Sequence, residues 1–173
     1  AEAGGDEEQA LDLLRKKGLQ TADKKAGRST GEGRVFSYIH HNQKVGVMVE
    51  VACETDFVAR GEDFETLLKD LCMHIAAVQP TPLAVEPDDI PEQIVERERS
   101  VLMGAEDMAK KPEEIRAKIV AGRMEKFVAE RALMEQEFVK DQDQTVRDML
   151  KAVIAKTGEN MKITRFARFE LGA

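Results

Sequence analysis

The chain has 173 residues, 42% hydrophobic and 34% charged, a balance that suits a folded domain and is too apolar for disorder. A formal charge of −7 argues against a general nucleic-acid binder, and no apolar run approaches the roughly 18 residues of a membrane span. Two cysteines, Cys53 and Cys72, are too few for a disulfide scaffold and fit a reducing compartment.

The length allows one domain with a small appendage. The start, Ala1-Glu2-Ala3-Gly4-Gly5-Asp6, has neither a basic n-region nor an apolar h-region, so it does not read as a signal peptide. It also lacks Met, and we expect the chain to be cut or processed from something longer. Asp6 and Gln9 have capping-box spacing before a stripe of Ala10, Leu11, Leu13 and Leu14, and Gly18 is the expected stop of this short helix. From Arg15 to Arg34 the chain turns basic, and Gly27, Gly31 and Gly33 mark a loop entering a strand.

Arg34 to His41 is rich in strand formers. After the short connection Asn42-Gln43-Lys44, Val45, Val47, Val49, Val51 and Cys53 alternate with Gly46, Met48, Glu50 and Ala52, which predicts a β-hairpin. Phe64, Leu67, Leu68, Leu71, Ile75 and Val78 then fall at helical spacing, ended by Pro80 and Pro82. A loop to Pro91 precedes a helix from Glu92 to about Lys110. Pro112 is placed as the first residue of the next, running to about Glu135 with Gly122 a weak point. Val146, Met149, Leu150, Val153 and Ile154 mark a last helix stopped at Gly158, and Met161 to Leu171 reads as a third strand. The expected class is α+β: a three-stranded antiparallel sheet packed against several helices, with a short N-terminal helix.

Little in the sequence suggests catalysis. Gly27-Arg28-Ser29-Thr30-Gly31-Glu32-Gly33 has the glycines of a phosphate loop, but no Gly-Lys-Ser/Thr follows and it precedes a strand, so a flexible entry loop is favoured. His40, His41, His74, Cys53 and Cys72 lack metal-site spacing, and His40 and His41 are expected on opposite strand faces, as ordinary core or surface residues. No Ser or Cys carries the surroundings of a nucleophile. We expect no catalytic residue, metal or cofactor. The Arg15–Arg34 stretch supports an alternative, an RNA- or ribosome-associated module, but lacks the aromatic interleaving that single-stranded binding favours.

One segment stands apart: Cys53-Glu54-Thr55-Asp56-Phe57-Val58-Ala59-Arg60, between the second strand and the helix after Gly61. Loops held between rigid elements are where binding residues concentrate. The bland alternative is that Thr55 or Asp56 caps the following helix and Phe57 is tucked into the core.

Glu54-Thr55-Asp56-Phe57-Val58 also resembles the signature of the elongation factor Ts family, an acidic residue and Thr-Asp-Phe-Val after a strand. Leu14-Arg15-Lys16-Lys17-Gly18 and Lys24-Lys25-Ala26-Gly27-Arg28 resemble its N-terminal signature. Lys111-Pro112-Glu113, Gly122-Arg123-Met124, Phe138-Val139-Lys140-Asp141, Gly158-Glu159-Asn160 and Arg165-Phe166-Ala167-Arg168-Phe169-Glu170-Leu171-Gly172 are similar to later stretches in the same order. Ala52 departs from the Asn common there.

The resemblance implies a guanine-nucleotide exchange factor for elongation factor Tu in translation, with no nucleotide site and no membrane or nucleic-acid partner of its own. It implies that Asp56 and Phe57 intrude near the partner's Mg²⁺ and phosphates while Thr55 and Val58 shape and anchor the turn. It further implies residues 1–33 as the remnant of an N-terminal helical module with a basic linker and residues 34–173 as a core and dimerisation domain. A homodimer and a bacterial cytoplasmic or organellar setting follow from the same likeness.

Overall fold

The computed structural model describes residues 13, 17, 18, 20–106 and 111–172. The expected capping box at Asp6 and Gln9 lies outside them. The chain falls into two compact units: the described residues up to Ala77 with those from Glu137 on, and the described residues of Val78–Gln136. The expected boundary at residues 33/34 falls inside the first.

In the first unit, residues 17 and 18 are helical, so Gly18 does not stop the helix there. A Cβ on Gly18 would sit 3.4 Å from that of Ala155, so the small residue serves close packing. Residues 20–25 form helix α1. Strands β1 (Glu32–Ile39), β2 (Val45–Cys53) and β5 (Met161–Glu170) make the expected three-stranded antiparallel sheet, in the order β1-β2-β5. Gly33 explains why β1 starts earlier than expected: its φ is +145°, and a Cβ there would lie 2.2 Å from the Val51 carbonyl oxygen.

The β1–β2 connection is longer than expected. The His40 amide donates to Val45, and Gln43 takes a φ of 56°. His40 and His41 therefore leave the strand, and their rings lie 4.1 Å apart instead of on opposite faces.

The period of two puts Val45, Val47, Val49, Val51 and Cys53 on one buried face of the central strand. Helix α3 (Glu62–Ala77) covers it with Phe64, Leu67, Leu68, Leu71, Cys72 and Ile75, and packs on α6 (Val146–Thr157), which adds Val146, Leu150 and Ile154. A short second sheet, β3 (Glu137–Phe138) with β4 (Asp141–Thr145), was not anticipated; β4 reads Asp-Gln-Asp-Gln-Thr and has no apolar alternation to reveal it. His74 is buried beside Phe138, and its Nδ1 accepts from the Val139 amide at 3.3 Å.

In the second unit, α4 (Glu92–Met103) packs on α5 (Glu113–Arg131). Helix α4 ends at Gly104, short of the expected Lys110, and residues 107–110 lie outside those described. Pro112 caps α5 instead of opening it, and Gly122 passes within the helix with open space around it. Ala132 turns extended and bridges Ala84, which ends α5 before the expected Glu135; Leu133–Glu135 is a single 3-10 turn. Ala84, Ile90 and Ala132 form this unit's small core with Val95 and Val128 against it.

Candidate functional site

Strand β2 delivers the chain at Cys53 into a one-turn helix, α2 (Asp56–Ala59), before Gly61 leads into α3. Thr55 caps this turn: its backbone is extended (φ −131°, ψ 155°) and its Oγ1 accepts from the Val58 amide at 3.4 Å. The cap expected here exists, but on this extra turn and not on the helix after Gly61. Successive helical residues point about 100° apart. Val58 and Ala59 are buried, whereas Asp56, Phe57 and Arg60 face outward. Phe57 is 83% exposed, which overturns the alternative of a ring tucked into the core. The Asp56 carboxylate lies 2.9 Å from the Arg60 guanidinium, and both side chains stay largely in solvent.

The turn is held from two sides. Beneath it, the Cys53 Sγ donates to the Thr55 carbonyl oxygen at 3.1 Å. Burial pushes this thiol up, and the nearby Glu159 carboxylate adds to the effect, so Cys53 stays protonated and serves as a donor. From the segment after α6, Glu159 accepts from the Thr55 amide at 3.0 Å and from its hydroxyl at 2.7 Å. In return, the Asn160 amide donates to Glu54 Oε1 at 2.6 Å. The buried Asn160 side chain donates to the carbonyl oxygens of Ala26 and Arg28, at 3.3 and 2.8 Å. Beside Phe57 an open groove of about 660 Å³ includes Asp56, Gly61, Phe64 and Thr157 in its lining, together with Asp63 and Lys156, which pair at 2.6 Å.

Sequence reasoning singled out Thr55, Asp56, Phe57 and Val58 and missed Glu54, Glu159 and Asn160 as their supports. A carboxylate reaching across 104 residues leaves no periodic signal; the visible hints were the helix stop at Gly158 and the family-like stretch Gly158-Glu159-Asn160.

Several cations of the basic stretch are engaged within the fold. Lys25 Nζ donates to the Gly158 carbonyl oxygen. Arg28 pairs with Glu54 at 3.5 Å, and Arg34 reaches the Ala59 carbonyl oxygen at 3.5 Å. Among the described residues no group of three or more His, Cys, Asp or Glu is disposed to hold a metal, and no described helix is long and apolar enough to cross a membrane.

The site thus sets an exposed aromatic beside a carboxylate on a turn fixed by cap and clamp. The family model described as Elongation factor TS matches residues 20–173. The chain is 54% identical to "Elongation factor Ts" of Synechococcus sp. (strain JA-3-3Ab) over 99% of its own length and 60% of that protein's. It is 51% identical to the chloroplastic "Polyprotein of EF-Ts" of Oryza sativa subsp. indica, of which it spans 15%. Identity is also 51% to "Elongation factor Ts" of Desulfotalea psychrophila, of which it spans 86%. The chain belongs to the elongation factor Ts family.

Proposed function

We propose that this chain is a guanine-nucleotide exchange factor for elongation factor Tu and acts by inserting the Asp56–Phe57 turn near the partner's Mg²⁺ and phosphate site. Family membership supports the partner and the activity. The observation that carries the mechanism is Phe57, 83% exposed on a turn whose next two residues are buried. Nucleotide affinity in such GTPases rests on the metal and on backbone donors around the phosphates, so displacing either loosens GDP. A thousandfold faster release asks for about 4 kcal/mol off the barrier. Burying one Phe supplies about 1.5–3 kcal/mol, which leaves the remainder to Asp56 and the disturbed metal network. No covalent step is involved. The coupling is reciprocal: if the chain loosens GDP, GDP loosens the chain by the same factor.

In this reading Thr55 and Val58 set the shape of the turn, residues 1–33 are the remnant of a helical module with its linker, and residues 34–173 form the core and dimerisation region. The chain works in a bacterial cytoplasm or an organelle, in line with the bacterial and chloroplastic relatives. The test is release of a fluorescent GDP from elongation factor Tu. The parent should accelerate it, and Asp56→Ala and Phe57→Ala should each lose at least about tenfold of that, about 1.4 kcal/mol or more, while remaining folded by circular dichroism. Variants as active as the parent would remove the turn from the mechanism.

A further inference from the structure

We propose that Glu159 is the positioning residue of the exchange turn: its carboxylate, delivered by the left-handed Gly158, fixes the direction in which Phe57 projects. This rests on the exchange reading above and adds to it a residue from a distant part of the chain.

The geometry is a reciprocal latch between two dipeptides. Glu159 takes the Thr55 amide on one oxygen and the Thr55 hydroxyl on the other, at 3.0 and 2.7 Å. Glu54, the residue before Thr55, takes the amide of Asn160, the residue after Glu159, at 2.6 Å. Each acidic side chain thus satisfies a backbone donor on the opposite strand of the latch, and charge-assisted bonds of this type are about twice as strong as neutral ones.

Thr55 is the hinge of the arrangement. Its hydroxyl donates to Glu159 while accepting from Val58, so the carboxylate also sets the orientation of the cap. Its carbonyl oxygen is held by Cys53 Sγ and by the Ala59 amide. Amide, hydroxyl and carbonyl of Thr55 are therefore all engaged, although the residue itself is exposed. The side chain that follows it in the turn, Asp56, makes a solvent-exposed pairing with Arg60. Phe57 comes next, and its aim depends on the turn beneath it. On the other side, Gly158 has a φ of +79°, which ends α6 and swings Glu159 toward Thr55. Lys25 on the Gly158 carbonyl and Asn160 on the Ala26 and Arg28 carbonyls tie that side to the N-terminal segment.

A residue that merely stabilises the fold would lower the melting temperature and leave the turn's own dynamics and the kinetics alone. The experiment therefore measures hydrogen exchange at the Thr55 amide, thermal stability, and stimulated GDP release from elongation factor Tu, in the parent, Glu159→Ala, Glu159→Gln, Thr55→Val and the Glu159→Ala/Thr55→Val pair. In Glu159→Ala the Thr55 amide should exchange about tenfold faster, the loss of one hydrogen bond to a charged group. Protection of α3 and β2 should be unchanged, and GDP release should slow about tenfold. Glu159→Gln keeps one acceptor and should fall between. The double variant should lose less than the sum of the two single losses, because the bond between the Thr55 hydroxyl and Glu159 is removed in both.

Unchanged Thr55 protection in Glu159→Ala overturns the proposal, as does unchanged GDP release with protection lost. A parent that does not accelerate GDP release from elongation factor Tu overturns the exchange reading instead, and the amide measurement then still decides whether Glu159 holds the turn.

Discussion

Phe57 and Val58 are neighbours with opposite surroundings, 83% and 9% exposed. Holding a Phe in water forgoes about 1.5–3 kcal/mol of burial, a cost that a fold tolerates where the ring has other work. The motif residues were legible in the sequence because their types and order stand out. Glu159 was legible only as part of Gly158-Glu159-Asn160; its bond to Thr55 was not, because nothing local links two residues 104 apart. Cys72 shows the converse, a reactive residue type rendered inert by position. Burial alone pushes its thiol up to about 12 from an ordinary value of 9.0. The folded chain thus keeps a proton that the unfolded chain releases near pH 9. This contribution is fully present below pH 9 and is lost as the pH rises toward 12. We expect the urea midpoint to fall more steeply above pH 9 in the parent than in Cys72→Ala, and thiol reagents to reach Cys72 only after unfolding. Equal slopes would remove Cys72 as the cause.

Helix α6 shows both ends of a helix written in residues. Thr145 and Asp148 form a full capping box, with Thr145 Oγ1 accepting from the Asp148 amide at 3.1 Å, and Gly158 closes the other end in the left-handed region. Only the second signal was read in advance, since Thr145 belongs to the polar run that concealed β4. Thr145→Ala should cost about 1 kcal/mol by urea titration, and Gly158→Ala about 1–2 kcal/mol from the strained φ. The two should differ in a second respect: Gly158→Ala should also weaken GDP release, because it redirects Glu159, whereas Thr145→Ala should not. The long elements, β2, α3 and β5, were legible because period and length agree over many residues. The ends of α4 and α5 were less so. What stops α5 is the bridge from Ala132 to Ala84, a tertiary contact with no local signature.

At the scale of the whole molecule, α3 covers one face of the first unit's sheet. Its other face carries Val35, Ile39, Met48 and Phe169, each more than half exposed, with the Glu50–Arg165 ion pair at 2.8 Å among them. An apolar face of this kind favours association. We expect a homodimer by sedimentation at micromolar concentration, shifted to monomer by Met48→Lys; a monomeric parent would dismiss the idea. The latch has a consequence in time as well as in space. Thr55 and Glu159 are 104 residues apart, which at about 5–20 residues per second places about 5–20 s of synthesis between them. While the chain is being made, Phe57 emerges well before the carboxylate that aims it. The finished shape of the turn thus waits for residue 159 to be added, and a chain released before that residue would display the aromatic without its direction.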